Sequence, residues 1–530
     1  MMSALQTHLQ QSFSENMSRQ ALSVRGHEYS FSEICAYVSS YQDALSKTEI
    51  SKVAVYGDRS LASYVGVIAS VFTGQTFVPF NPAFPDSQNR NIISLSDARA
   101  IMFDAGSWSA IQLILSELET VFTLITIDDG AADIAAIRQD AQNAGHDLHV
   151  LSPLDDAKAE VTAESSESDI LYIMYTSGTT GTPKGVPISH GNVMHYINGL
   201  NDLLDIGVDD RFTQLFDLTF DLSMHDIFLT WSVGGCLCVP DRMELIAPKK
   251  YIERERITVW FSVPSVLAMM AKLRLLEDGA YPDIRYGLFC GEALPQDLAC
   301  VWMGAAPNAA VINLYGPTEA TIAFTEFQVS PKDCADTVYK NGVIPIGKVF
   351  GENEACIISE DEHIISDIGE AGELCLSGPQ ITEGYINNPE QNAVRFFVDE
   401  QTKIRWYKTG DRVYEDNALG YIYLGRMDHQ VKIRGYRVEL AEIENELRAA
   451  SGSAHVAAIA WPVDEAMRAE AVVAFLVAPT VDIDAIHQKC AENLVDYKRP
   501  SSLYILDALP LNANGKVDRN ALKKYLKEQT

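Results

Sequence analysis

The feature that most constrains this chain is an apolar strand that runs straight into a donor-rich loop. Residues 170–175, Ile-Leu-Tyr-Ile-Met-Tyr, form a β-prone run that reads as a buried strand. Residues 176–185 follow at once, dominated by Thr, Ser, Gly and Pro, with a single cation, Lys184. Glycines let backbone N–H groups turn inward and hydroxyls add further donors, so such a loop suits a polyphosphate, with Lys184 as a mobile positive charge. The order Gly178-x-x-Gly181-x-x-Lys184 is not the Gly-x-x-x-x-Gly-Lys-Ser/Thr of a P-loop. Composition alone fits a flexible surface loop equally well. Its place directly after a buried strand favours phosphate.

The rest of the chain supplies a frame for that loop. Runs at 53–56, 76–79, 100–103 and 122–126 read as strands separated by helices such as 62–72, a rhythm that predicts parallel α/β layers. Ser32 and Ser189 are expected helix N-caps, the second opening a helix with Val193, Ile197 and Leu200 on its apolar face. Strands at 286–290 and 311–315 end, like 170–175, in polar glycine-bearing turns, Gly291-Glu292 and Gly316-Pro-Thr-Glu319. Ligands of open α/β sheets gather at the carboxyl ends of strands, so these turns predict one site. From Glu373 onward the pattern shifts to short strands and turns. Beyond a joint at 425–430 come a helix, 439–450, and a strand, 472–477. The fold expected is α/β: a large N-terminal domain of layered α/β subdomains plus a β-rich subdomain (1–427), then a small mobile α+β C-terminal domain (428–530).

Bulk properties exclude several function classes. With 41 Lys and Arg against 72 Asp and Glu, the net charge is −31, which argues against nucleic acid or an anionic membrane as partner. No apolar run approaches the roughly 20 residues of a membrane helix, and the N-terminus lacks a signal-peptide pattern. A cytoplasmic monomer without membrane insertion is expected. The nine cysteines form no Cys-x-x-Cys pair and lie mostly in apolar runs, which predicts buried free thiols.

Five segments in order carry a resemblance: Tyr175-Thr-Ser-Gly-Thr-Thr-Gly-Thr-Pro-Lys-Gly185, Asn313-Leu-Tyr-Gly-Pro-Thr-Glu319, Tyr407-Lys-Thr-Gly-Asp411, Gly425-Arg-x-Asp-x-Gln430 and Asn514-Gly-Lys516. Together they resemble the acyl- and aminoacyl-adenylating enzymes, in particular stand-alone amino-acid adenylation domains similar to D-alanyl and glycyl carrier protein ligases. The resemblance implies ATP and Mg2+ as cofactors. It implies that Thr176, Ser177, Gly178, Thr179, Thr180, Gly181 and Lys184 hold phosphates, and that Thr176 and Glu319 place the metal. Gly291, Glu292, Ala293, Asn313, Tyr315, Gly316 and Thr318 would surround the adenine, Asp411 the ribose hydroxyls, with Arg426 near ribose or phosphate. Lys516 would be the catalytic cation bridging substrate carboxylate and α-phosphate. Asp428 would be the hinge about which the C-terminal domain turns between two half-reactions, and the loop with Lys432 and Gly435 would face the incoming thiol in the second.

The segment Phe220-Asp221-Leu-Ser-Met-His-Asp226 carries the expected choice of acid. A buried carboxylate is costly unless it meets a cation, so Asp221 implies an α-ammonium; a helix-capping Asp is the alternative. By the same resemblance Leu222, His225, Phe261, Leu288, Cys290, Leu314, Ile322 and Ala323 line the side-chain pocket, together with Lys516. Phe261 stands where D-alanyl ligases carry a small hydroxyl residue, and His225 where they carry Met. The expected substrate is a small neutral amino acid, glycine before D-alanine before L-proline. No phosphopantetheine-bearing segment follows Lys516, so the expected acceptor is the thiol of a separate carrier protein. An acyl-CoA-ligase-type enzyme acting on another small carboxylic acid would share the loop and tail motifs but would have no need of Asp221. A non-catalytic nucleotide-binding module would have no need of Glu319 and Lys516.

Overall fold

The computed structural model describes residues 2–529 other than 47, 58, 129, 131, 156, 177–182, 336–338, 340–341, 401, 428–429, 464–468 and 512–516. Two large sheets dominate. In the first, strands run in the order Asp147–Leu151, Thr123–Ile127, Ala100–Asp104, Lys52–Tyr56, Thr76–Phe80, Ile170–Thr176 and Lys184–Ser189. All pairings are parallel except the last, where Ile170–Thr176 folds back on Lys184–Ser189 with Thr176 opposite Lys184. The second sheet has nine strands. At its centre Val259–Ser262, Tyr286–Phe289 and Ala310–Tyr315 lie parallel and in register, so their carboxyl ends open on the same edge. One continuous apolar core joins the facing surfaces of both sheets; it includes Val53, Leu171, Phe261, Leu288 and Leu314.

A six-stranded sheet built around Ala371–Ser377 and Arg405–Asp416 forms the β-rich piece. It is followed by the hairpin Gln430–Ile433/Tyr436–Glu439 and a three-stranded sheet, Val456–Ala460, Val472–Val477 and Pro500–Leu506, with its own core. The architecture is thus a mixed α/β fold with a large N-terminal and a small C-terminal domain.

Most expected elements stand where the patterns put them, and the departures are local. The first capping residue is Ser30, not Ser32: Ser30 and Glu33 form a reciprocal capping box on the helix Phe31–Leu45. Ser189 caps the helix His190–Leu203 as expected, with Asn192 completing the box. Not every cysteine is a free thiol. Cys300, in the helix Gln296–Ala305, is joined to Cys334, in the short helix Pro331–Ala335. The two helices set the Cα atoms 5.6 Å apart, a separation a disulfide spans, and nothing in the linear spacing announces that approach. Among the described residues no helix is long and apolar enough to cross a membrane.

Candidate active site

The strand ends converge as their turns predicted. A cavity of about 100 Å³ lies beyond them, lined by Asn313, Leu314, Tyr315, Gly316 and Thr318 from one strand end and by Gly291, Glu292 and Ala293 from the next. Phe220, Asp221 and Leu222 close a third side, and Asp411, Arg426, Lys432 and Arg437 face them from the C-terminal half. Thr176 lines an adjoining cavity that shares Asp221, Thr318 and Arg437 with the first. Ser177, Gly178, Thr179, Thr180 and Gly181, the hinge candidate Asp428 and the lysine candidate Lys516 lie outside the described residues.

Lys184 departs from the mobile cation expected of the loop. It sits in the return strand, buried, with Nζ donating to Gln391 Oε1 at 3.1 Å and 5.4 Å from the centre of the Tyr385 ring. Burial depresses its pKa, and Glu439 and Glu319 act in the opposite sense.

Asp411 anchors one end of a chain of charge-assisted hydrogen bonds. Its carboxylate accepts from the Tyr315 hydroxyl at 2.5 Å and from Arg426 at 2.9 Å. Arg426 also donates to Gln430 Oε1 at 2.6 Å, which accepts from Arg437 Nε at 2.9 Å. Arg437 continues to Glu319, meeting both carboxylate oxygens at 2.9 and 3.1 Å, and the Tyr385 hydroxyl donates to the same group at 2.6 Å. Glu319 is 1 % exposed. Burial alone would raise its carboxyl, but Arg437 and Tyr385 outweigh that and hold it at about 2.

Lys432 and Arg437 reach the cavity together because they are cross-strand partners in the hairpin, which puts both side chains on one face. The turn between them, Arg434-Gly435, has positive φ at both positions, 51° and 86°, the two-residue connection that matches strand twist. Gly435 is required twice over: a Cβ there would come within 2.6 Å of Val263 Cγ1. Next to it the Tyr436 hydroxyl donates to Asp217 at 2.7 Å, while its ring stacks on Tyr497 at 3.9 Å and lies 5.5 Å from Phe220. Arg437 and Tyr385 were not among the residues singled out from the sequence, and Gln430 was read only as the end of the joint motif 425–430. A signal for Arg437 was present, since Lys432-x-Arg-Gly-x-Arg437 is a tight hairpin that forces the two cations to share a face.

Asp221 is 4 % exposed and has no ion-pair partner among the described residues. It precedes the helix Leu222–Ser232 without capping it through its side chain. Burial raises its carboxyl to about 6, partly offset by a hydrogen bond from Thr318 and the charge of Lys432. Of the expected pocket positions, Leu222 and Leu314 line the cavity with Asp221. Phe261, His225, Leu288, Cys290, Ile322 and Ala323 are almost wholly buried in the packing behind it. The centre of the His225 ring lies 4.1 Å from that of Phe261, with the planes tilted by 41°, and its Nδ1 lies 2.6 Å from the Tyr196 hydroxyl. Burial depresses its pKa to about 3, so this histidine is neutral and adds no charge to the site. Burial likewise pushes the Cys290 thiol up to about 12.

Comparison with known proteins follows the same outline. The family model for AMP-binding enzymes matches residues 9–386, and that for the AMP-binding enzyme C-terminal domain matches 442–516. The chain is 30% identical over 491 residues to a D-alanine–D-alanyl carrier protein ligase of Bacillus cytotoxicus, covering 91% of this chain and 90% of that protein. It is also 30% identical to part of surfactin synthase subunit 2 of Bacillus subtilis, over 95% of this chain and 13% of that much longer protein. A crystal structure of the Vibrio cholerae adenylation domain AlmE in complex with glycyl-adenosine-5'-phosphate superimposes with a TM-score of 0.92 at 32% identity, covering 100% of this chain and 98% of that one.

Proposed function

This chain belongs to the AMP-binding enzyme family, and from that premise we propose that it activates glycine with ATP and passes the glycyl group to the thiol of a separate carrier protein. The observation that carries the choice of acid is Asp221, a buried carboxylate without an ion pair among the described residues, on the wall of a cavity behind which Phe261 is packed into the core. An α-ammonium would supply the missing cation. On this reading the packed wall behind it would favour hydrogen over a side chain. The solved relative holding a glycyl adenylate supports the same reading.

In the first half-reaction the amino-acid carboxylate attacks the α-phosphorus of ATP; an O–P bond forms and pyrophosphate departs. Asp221 would hold the ammonium, Asp411 the ribose, and Gly291, Glu292, Ala293 and Tyr315 the adenine. Lys516 would neutralise the charge shared by carboxylate and phosphate. Glu319 and Thr176 are the oxygen donors that would hold a Mg2+, whose charge would offset that on the leaving pyrophosphate. In the geometry described, both Glu319 oxygens are engaged by Arg437 and Tyr385, so Glu319 becomes available only when the hairpin withdraws. Asp428 would act as the hinge for that withdrawal, dividing a domain of residues 1–427 from one of 428–530.

In the second half-reaction the carrier thiolate attacks the acyl carbon; a C–S bond forms and AMP leaves with the electron pair of the C–O bond. Seated as it is, the hairpin brings Lys432 to the cavity, where it would stabilise the departing phosphate, and Gly435 lets the turn pack closely against Val263. Pyrophosphate exchange across a panel of amino acids tests the assignment. Glycine should be preferred over D-alanine, and D-alanine over L-proline. Exchange with D-alanine or L-proline as good as with glycine would overturn it. D-Alanine is the second reading because ligases of that specificity are 30% identical over nine-tenths of the chain.

A further inference from the structure

One wall of the cavity rests on a strained turn. Thr321 and Ile322 have φ of 56° and 74°, left-handed values that β-branched residues adopt only under constraint. The turn starts two residues after Glu319 and folds back over the end of the strand Ala310–Tyr315. There it lies against Gly316, where a Cβ would meet Ala323 Cα at 2.6 Å and the Ile322 carbonyl oxygen at 2.9 Å. Gly316 lines the cavity, and Ile322 and Ala323 are 1 % and 0 % exposed. The position of this turn therefore sets how far the wall stands from Asp221.

The turn is held by a residue that belongs to a different sheet. Gln380 follows the strand Ala371–Ser377 and is fully buried. Its Nε2 donates to the carbonyl of Ala323 at 2.8 Å, of Ala320 at 3.2 Å and of Thr321 at 3.4 Å. Its Oε1 accepts from Asn353 Nδ2 at 2.6 Å, which fixes the orientation of the amide, and its own carbonyl accepts from the Thr321 hydroxyl at 2.6 Å. One side chain thus satisfies the backbone on both sides of the two strained residues. Removing its donors would leave buried carbonyls without partners and let the turn relax away from Gly316.

We propose that Gln380 is a positioning residue that sets the size of the amino-acid pocket through the turn 320–323. This inference rests on the amino-acid reading above, but not on which amino acid is preferred.

The test compares wild type with Gln380→Met, which keeps the length of the side chain and removes its donors. Pyrophosphate exchange is measured with glycine, D-alanine, L-alanine and L-proline, together with the KM for ATP. The wild-type panel alone decides the glycine assignment; Gln380 is judged by the ratio of variant to wild type, using the amino acid the wild type prefers. The KM for that amino acid should rise at least tenfold, and its advantage over the competitor one methyl larger should shrink at least fivefold. The KM for ATP should stay within twofold. Asn353→Ala, which frees the Gln380 amide to rotate and also removes a hydrogen bond to the Phe350 carbonyl, should shift the same selectivity two- to threefold, and it decides the matter if Gln380→Met does not fold. Unchanged selectivity in the folded variants, or a KM for ATP that rises as much as that for the amino acid, would overturn the proposal.

Discussion

The substitution Asp221→Asn removes one ionisable group from the edge of the cavity and keeps its shape and its hydrogen bond from Thr318. Burial raises the Asp221 carboxyl from 3.8 to about 6. A folded-state pKa above the unfolded one means that the native protein favours the protonated acid. The stability so contributed is complete below about pH 4 and is lost as the pH rises through about 6. At pH 7.5 the loss amounts to about 3 kcal/mol, and asparagine escapes it. The variant should therefore melt a few degrees above wild type at pH 7.5, and the gap should narrow to about a third of that at pH 4.5 and toward zero below about pH 4. An α-ammonium beside Asp221 would return part of that stability to the wild type, so saturating glycine should raise the wild-type melting temperature and leave the variant unmoved. Amino-acid-dependent pyrophosphate exchange should fall at least a hundredfold in the variant, and in the wild type the KM for glycine should rise as the pH drops below about 6. Thermal melts at three pH values, with and without glycine, are the assay. Every other carboxylate is common to both proteins, so their difference isolates this one. A variant that melts below wild type at pH 7.5, or a gap independent of pH, would refute the reasoning.

Three further outcomes follow from the geometry. Gly435→Ala should impair transfer to the carrier at least tenfold while leaving pyrophosphate exchange within twofold, because a Cβ would sit 2.6 Å from Val263 and hold the hairpin off its seat; equal loss of both half-reactions counts against this. Phe261→Ala should destabilise the protein by about 3–5 kcal/mol and reduce the preference for glycine over D-alanine by about tenfold, read by thermal melts and by exchange with the two amino acids. Lys516→Ala should abolish adenylate formation while ATP still binds, as shown by isothermal titration; near-normal exchange would remove Lys516 from its proposed role.

What could be read in the sequence was whatever leaves a local mark. The strand at 170–176 shows as an apolar run, the Ser189 cap as a hydroxyl before an apolar stripe, and the site as turns at the ends of strands. Ser30 was missed for Ser32 because two serines flank Phe31 and only the reach of Glu33 back to the Ser30 backbone distinguishes them. The Arg437–Glu319 pair spans 118 positions and the Tyr436–Asp217 bond 219, and neither end carries a pattern that names the other. Gln380 was invisible for the same reason. An isolated glutamine after a strand looks like any surface residue until the fold brings a strained backbone against its amide. The disulfide between Cys300 and Cys334 belongs to this class, since it depends on two helices lying side by side.

The ion pair between Arg437 and Glu319 has a consequence for the order of events. A single buried carboxylate can meet a guanidinium or a divalent cation, but it has no room for both. Given the role proposed for Glu319, the hairpin cannot seat until pyrophosphate and its counterion have left. While Arg437 holds Glu319, the same role would deny pyrophosphate its return. On that role the fold would contain a turnstile. One carboxylate would admit the two half-reactions singly and in sequence, and the departure of a product would reset it.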